Sequence, residues 1–286
     1  MKRFLKILIL IGIAIFFSQS VFGYGPKGYK PSKHQEKHGE KSGKGKGHHG
    51  YGRPKGPPTD IPGHIKDRIN KEGDWSANGV SVNLNNSQVG VKGMVFMSTY
   101  APLKNVVSMA LKSNKLGDEG VKVMTQSDTF RNLRFLSLWD NGISPAGIKM
   151  LARAANFNNL KELNLMQNKL GDEGVVLLVD SSNLFNLTSL DLSRNNIGDV
   201  GARAIATSPY LSKLKKLDLY DNKITTKGIK ALIQSKTLTN LQQLDFVKND
   251  IDDESAAKLW ESHMNSCRAL KKSSTSQEGR LPLCSN

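Results

Sequence analysis

Residues 133–141 read LRFLSLWDN, and the same frame returns as LKELNLMQN at 160–168, LTSLDLSRN at 187–195, LKKLDLYDN at 214–222 and LQQLDFVKN at 241–249. Each copy begins 27 residues after the one before. Further upstream at the same interval lie VVSMALKSN at 106–114 and GVSVNLNNS at 79–87, the latter keeping Val80, Val82 and Leu84 but carrying Ser87 in place of the asparagine. Seven units of 27 residues therefore fill 79–267 without a gap. A period held over so long a stretch marks a repeat architecture, in which each coil buries its apolar side only by stacking on the next.

Each column of the unit has a physical reading. Leu136 with Leu138, Leu163 with Leu165, Leu190 with Leu192 and Leu217 with Leu219 alternate as a short strand requires when one side is buried. Asn114, Asn141, Asn168, Asn195, Asn222 and Asn249 stand where the chain leaves the strand, where an amide can donate to and accept from backbone; this column reads as a structural ladder. Leu116, Ile143, Leu170, Ile197, Ile224 and Ile251 must point inward as well. Gly117, Ser144, Gly171, Gly198, Thr225 and Asp252 then stand where helix N-caps are expected. Asp118, Asp172, Asp199 and Asp253 follow, where the positive end of a helix favours a carboxylate, and they read as capping devices. Helices are expected from Gly120, Gly147, Gly174, Gly201 and Gly228 onward, with Val121/Met124, Ile148/Leu151, Val175/Leu178, Ala202/Ile205 and Ile229/Leu232 facing inward. Phe130, Phe157, Leu184, Leu211 and Leu238 close each coil, and the recurring glycine is expected to let neighbouring backbones approach.

The frame L-x-x-L-x-L-x-x-N, followed by an apolar residue, a glycine and a helical stretch, resembles the leucine-rich repeat, closest to its ribonuclease-inhibitor-like class. The resemblance covers about two thirds of the chain. It implies an α/β solenoid, a curved arc with a parallel β-sheet on the concave face and helices on the convex face. Geometry points the same way, since strands pack ~4.8 Å apart and helices ~10 Å. The resemblance further implies a protein-binding role without a cofactor. Residues 60–78 place Ile61, Ile65 and Ile69 at helical spacing with Trp75 behind them, an expected N-terminal cap. Residues 268–286 lack the repeat and read as a C-terminal cap or tail. Cys267 and Cys284 are too few for a disulfide scaffold or a four-cysteine zinc site; in an exported protein the pair reads as one disulfide, two free thiols being the alternative.

The first 23 residues have the layout of an export signal: Lys2, Arg3 and Lys6, an uncharged run from Ile7 to Phe17, then a polar to small-residue stretch. Eleven residues of helix rise ~16 Å, short of a ~30 Å hydrocarbon core, which disfavours a permanent span. Cleavage is expected after Gly23, or alternatively after Ser20, giving an exported chain in the periplasm, at the cell surface or outside the cell. The 286 residues carry a net charge of +16, but unevenly. Residues 24–59 alone hold nine Lys/Arg against Glu36 and Glu40, together with nine Gly, five Pro and no Val, Ile, Leu, Met, Phe or Trp. Such a segment has no apolar area to offset ordering entropy and is expected to be a disordered tail. An even basic body suited to sequence-specific nucleic-acid binding is therefore disfavoured. The tail's lysines suit an anionic surface or polyanion, and His34, His38, His48 and His49 are weak metal-ligand candidates.

Function is expected on the inner sheet face, because side chains between the buried leucines are ordered before a partner arrives. There Phe135, Trp139, Met166 and Tyr220 are read as exposed anchors of an interface hot spot, flanked by Asp140 and Arg194. Packing of Phe135 or Trp139 along the sheet is the plainer alternative. Asp191 and Asp218, with Asp245, form an acidic row at strand spacing that suits a basic peptide or a cation. The chain shows no phosphate loop, no H-E-x-x-H, no G-x-S-x-G and no cysteine poised as a nucleophile, so catalysis is not expected. The sequence thus suggests a monomeric, exported module that binds a protein partner through its concave face. By analogy with secreted bacterial proteins bearing such repeats, a host-directed effector is one form of it. The alternative is a surface-associated polyanion or metal binder acting through its basic tail.

Overall fold

The leucine columns become strands because alternate side chains can reach a common core only from extended backbone, and the 27-residue interval returns each strand beside the last. The computed structural model describes residues 60–76, 79–252, 254, 255 and 258. The expected leader, the basic tail with its four histidines, and Cys267 and Cys284 lie outside the described residues. Within them the sheet runs β1 (Asp74–Ser76), β2 (Gly79–Asn83), β3 (Val106–Ala110), β4 (Phe135–Ser137), β5 (Glu162–Asn164), β6 (Ser189–Asp191), β7 (Lys216–Asp218) and β8 (Gln243–Asp245), in sequence order. From β2 onward neighbours are parallel, and Leu136, Leu163, Leu190, Leu217 and Leu244 pair across them in register.

Helices return the chain: α1 (Ile61–Glu72), then α2 (Gly90–Thr99), α3 (Gly117–Thr125), α4 (Pro145–Arg153), α5 (Gly171–Val179), α6 (Asp199–Thr207) and α7 (Thr226–Ile233). Short 3-10 turns such as Asp128–Phe130 and Ala155–Phe157 bring it back to the next strand, burying Phe130 and Phe157. The result is an α/β solenoid arc with one continuous core between sheet and helices, and the five expected inward helix pairs all lie in it. Each fully buried leucine or isoleucine adds roughly 1.5–3 kcal/mol of hydrophobic stabilisation.

The asparagine column is a ladder between coils. Asn141 Oδ1 accepts from Asn114 N at 3.1 Å and Leu116 N at 3.3 Å, while its Nδ2 donates to Leu111 O at 2.9 Å. Asn168 and Asn222 repeat this on the coils before them. Each side chain thus satisfies backbone groups that burial would otherwise leave orphaned.

Four expectations change or widen. Trp75 does not sit behind the cap helix: it lies in β1, antiparallel to β2, and is 45% exposed, while Ile65 and Ile69 do seal the core. The helices start two or three residues before the glycines that were expected to open them. Ser144 and Thr225 are N-caps, their side chains accepting from Ala146 N and Lys227 N, and Gly198 is an N-cap without a side-chain bond. Gly117 and Gly171 are not: both take φ +57°, and their N–H groups donate to Asn141 O and Asn195 O of the next coil, so a cross-coil bond fixes the start of the helix. Finally, Asp118, Asp172 and Asp199 stand in the first turn of their own helices as expected, and each also caps the start of the next coil's helix. Asp118 accepts from Ser144 N, Asp172 from Gly198 N and Gly201 N, and Asp199 from Thr225 N and Gly228 N, all within 2.7–3.0 Å. At Gly147, Gly201 and Gly228 what approaches the recurring glycine is this carboxylate, whereas at Gly120 and Gly174 it is the Leu116 and Leu170 side chains; a Cβ on Gly228 would stand 2.5 Å from Asp199 Oδ1 and from Ile224 Cγ2.

Candidate interaction surface on the sheet

Strand periodicity hands every second residue to the concave face, and the 27-residue repeat aligns those residues into columns. One column reads Ser108, Phe135, Glu162, Ser189, Lys216 and Gln243, and the next reads Ala110, Ser137, Asn164, Asp191, Asp218 and Asp245. Beyond the strand ends follow Lys112, Trp139, Met166, Ser193, Tyr220 and Val247, and then Ser113, Asp140, Gln167, Arg194, Asp221 and Lys248.

Phe135, Trp139, Met166 and Tyr220 do stand on this face, but they are half-buried, not exposed; at Trp139 and Tyr220 side chains one coil away lean on the rings. Lys112 Nζ lies 3.4 Å from the centroid of the Trp139 ring, a cation–π contact that covers the indole. Trp139 Nε1 is buried there without an acceptor. Tyr220 is flanked by Arg194, whose Cζ is 5.8 Å from the ring centroid, and by Lys248, whose Nζ is 5.3 Å away. Arg194 Nε also pairs with Asp221 Oδ2 at 3.2 Å, and Asp140 Oδ2 accepts from Ser113 Oγ at 2.6 Å. Packing along the sheet and display to solvent therefore coexist at these positions.

Asp140 and Arg194 belong to a column with a second property. Asn86, Ser113, Asp140, Gln167, Arg194, Asp221 and Lys248 all adopt φ between +54° and +57°. The left-handed residue turns the chain off the strand so that the following asparagine, or Ser87 in the first unit, points into the core. Side chains other than Gly, Asn or Asp take this conformation at a cost of about 1–2 kcal/mol.

The acidic row is present but differs from expectation at one end. Asp191 is only 2% exposed, so it is part of the floor and not an open contact. Its Oδ2 accepts from Asn164 Nδ2 at 2.7 Å, and its Oδ1 accepts from Ser193 N at 3.0 Å and from the Ser193 hydroxyl. Half-buried Asp218 and Asp245 pair beside it in register, each accepting from the backbone N–H two residues on, Tyr220 and Val247. Burial pushes Asp191 up to about 6, against the pull of its Ser193 and Asn164 hydrogen bonds. Burial and the negative charges of Asp191 and Asp245 push Asp218 up to about 7, and burial raises Asp245. Glu162 is raised by burial too, with Lys216 opposing.

The alternating columns place Lys112, Asn164, Ser193, Asp221 and Lys248 on this face from the sequence; what they do not give is the part these residues play in covering Trp139 and Tyr220, pairing Arg194 and holding Asp191. No three His, Cys, Asp or Glu residues cluster as a metal site among the described residues.

Five segments, residues 131–152, 158–179, 183–206, 210–232 and 237–259, match the family described as Leucine Rich repeat, so the chain carries leucine-rich repeats there. No curated protein matches the chain. Among solved structures it is similar to a leucine-rich-repeat protein of Leptospira interrogans, at 29% identity over 56% of this chain and 36% of that one, with a TM-score of 0.37. It is also similar to an internalin of Listeria monocytogenes, at 24% identity over 57% of this chain and 48% of that one, with a TM-score of 0.37. The matches thus span less than half the length of either protein.

Proposed function

We propose that this chain is an exported leucine-rich-repeat protein of the ribonuclease-inhibitor-like class, built of seven units over 79–267, that binds a protein partner through its concave face and does not catalyse a reaction. Leucine-rich repeats commonly serve as protein-binding modules, which supports the class of activity. The observation that carries the reading is the placement of Phe135, Trp139, Met166 and Tyr220 on three coils of one sheet face, outside the leucine core, with Trp139 and Tyr220 held by neighbouring cations before any partner arrives. A stiff surface with large, partly covered side chains loses little entropy on docking, and aromatic anchors dominate such interfaces.

The test is a photo-crosslinking residue placed in the full chain at exposed Gln167, beside the anchors, or at exposed Lys149 on α4. Adducts from position 167 that fall away in Trp139→Ala support the reading. Adducts from position 149 alone, or adducts indifferent to Trp139→Ala, overturn it. Residues 24–59 favour a second reading through their composition, nine Lys/Arg against two Glu: a tail that holds the protein at a polyanionic surface. Salt-sensitive retention on heparin that vanishes when 24–59 are deleted is its signature.

A further inference from the structure

Positive charge gathers along one edge of the sheet. The stretches that lead into β3 to β8, residues 101–107, 128–134, 155–161, 182–188, 209–215 and 236–242, hold seven Lys/Arg against Asp128. Helices α2 to α7 hold seven against five Asp/Glu, so the excess is local to this edge. Backbone bonds fix its spacing: Lys161 N donates to Arg134 O, Thr188 N to Lys161 O and Lys215 N to Thr188 O, all at 2.7–2.8 Å. Arg134, Lys161 and Lys215 therefore share one column that advances ~4.8 Å per coil. Exposed Lys104 and Arg131 share another, 27 residues apart. None of these five, nor Lys213, forms an ion pair among the described residues.

Two neutral features lie among the cations. Asn132, Asn159 and Asn240 each spend Nδ2 on a carbonyl of the preceding coil, Lys104 O at 3.3 Å, Arg131 O at 3.0 Å and Ser212 O at 2.7 Å. An amide bonded in that way keeps its oxygen, so exposed Asn159 and Asn240 offer acceptors that call for a donor. Phe185, 43% exposed, is the one exposed aromatic ring of these stretches. Lys213 Nζ stands 4.6 Å from its centroid and donates to Asn186 Oδ1 at 2.8 Å, which holds cation and ring together.

We propose that this edge binds a linear anionic polysaccharide: its carboxylates or sulfates meet the cation columns, its hydroxyls donate to the asparagine oxygens, and the apolar face of a sugar ring packs on Phe185. Charge excludes two nearer occupants, since residues 24–59 hold nine Lys/Arg against two Glu and the same edge of a second copy is equally basic. An anionic bilayer approaching the edge would also meet the sheet face beside it, where Glu162 and the aspartate row stand. Single-stranded nucleic acid stacks successive bases on aromatic rings, and this edge exposes one ring. The edge shares no residue with the concave anchors, so its binding stands or falls apart from theirs.

The experiment titrates the full chain with a size-defined heparin oligosaccharide at near-physiological salt. Arg134→Gln/Lys161→Gln/Lys215→Gln is compared with Lys149→Gln/Lys227→Gln/Lys230→Gln, which removes the same charge from exposed positions on α4 and α7. The edge variant is expected to weaken binding about tenfold or more and the helix variant about threefold or less. Phe185→Ala is expected to cost roughly threefold with the salt dependence unchanged, because it removes an apolar contact and no charge. Equal losses from the two triple variants, the signature of binding through 24–59, overturn the proposal, as does wild-type affinity in Phe185→Ala. An edge effect as large for single-stranded DNA, polyglutamate or phosphatidylserine vesicles as for heparin also overturns it. Acetylation footprinting of the unaltered chain decides without any variant: heparin is expected to shield Lys161, Lys213 and Lys215 more than Lys149, Lys227 and Lys230, and even shielding refutes the assignment.

Discussion

Replacing Asn195 with alanine tests whether the asparagine ladder holds the coils together. Asn195 is fully buried; its Oδ1 accepts from Asn168 N at 3.1 Å, and its Nδ2 donates to Leu165 O, Leu192 O and Ser193 O at 2.9–3.1 Å. The three carbonyls each keep another donor: Asn168 Nδ2 for Leu165 O, Asn222 Nδ2 for Leu192 O and Gln167 N for Ser193 O. The Asn168 N–H has no such reserve. One orphaned buried donor costs about 1–3 kcal/mol, and three weakened carbonyls with a small void add about 1–2 kcal/mol more. The expected loss is therefore about 2–5 kcal/mol, read from equilibrium urea unfolding followed by far-ultraviolet circular dichroism. Asn249→Ala removes the equivalent bonds to Ile224 N, Leu219 O and Phe246 O, but at a half-buried site where water can substitute. It should cost about half as much. A loss below about 1 kcal/mol at Asn195, or one no greater than at Asn249, would refute the ladder argument.

Three further outcomes are expected. Because the folded state raises Asp191 and Asp218 above their ordinary values, it binds more protons than the unfolded chain. Their contribution is fully present below the ordinary value of 3.8 and is lost as pH rises from there to about 6 for Asp191 and about 7 for Asp218. Asp191 alone carries about 3 kcal/mol of this, and half-buried Asp218 less than its displacement suggests because water screens it. Asp218→Asn, which keeps an oxygen for Tyr220 N, should accordingly stabilise the protein at pH 8 and do so by much less at pH 4.5, in urea melts at the two pH values. Gln167→Gly removes a side chain from a φ of +56° at an exposed position and should raise stability by up to about 1 kcal/mol; a loss in the same assay contradicts the strain assigned to that column. Gly228→Ala drives a methyl group into Asp199 Oδ1 and Ile224 Cγ2 and should cost about 2 kcal/mol or more, with hydrogen exchange accelerated at the start of α7; wild-type stability would show that the aspartate cap can move aside.

The fold was legible because its causes recur in the sequence at a fixed interval. Leu136, Leu163, Leu190 and Leu217 line up from the period alone, and the asparagines follow from the need to satisfy buried backbone. The left-handed column was not legible: residue types there run from Asn to Lys, and the conformation is imposed by the turn they must make. The aspartates were placed correctly in the first turn of their own helices, but their second role was not legible, since the donors of Ser144, Gly198 and Thr225 lie 26 residues on. Burial of Asp191 and cover for Trp139 depend on which way Asn164, Ser193 and Lys112 lean, and rotamers leave no periodic trace. Trp75 was misplaced because no second copy of its surroundings exists to read against.

Ladder bonds from Asn114 to Asn249 reach no further than the adjoining coil, with sequence separations of 25 to 30 outside the coil's own bend. Excising one whole period would leave the donors of the coil above facing matching acceptors on the coil below. Natural or engineered versions can thus grow or shrink in whole steps of about 4.8 Å along the sheet without rebuilding either end. Such a molecule works as a ruler whose graduations are coils, and the length of footprint it can measure is set by copying, not by refolding.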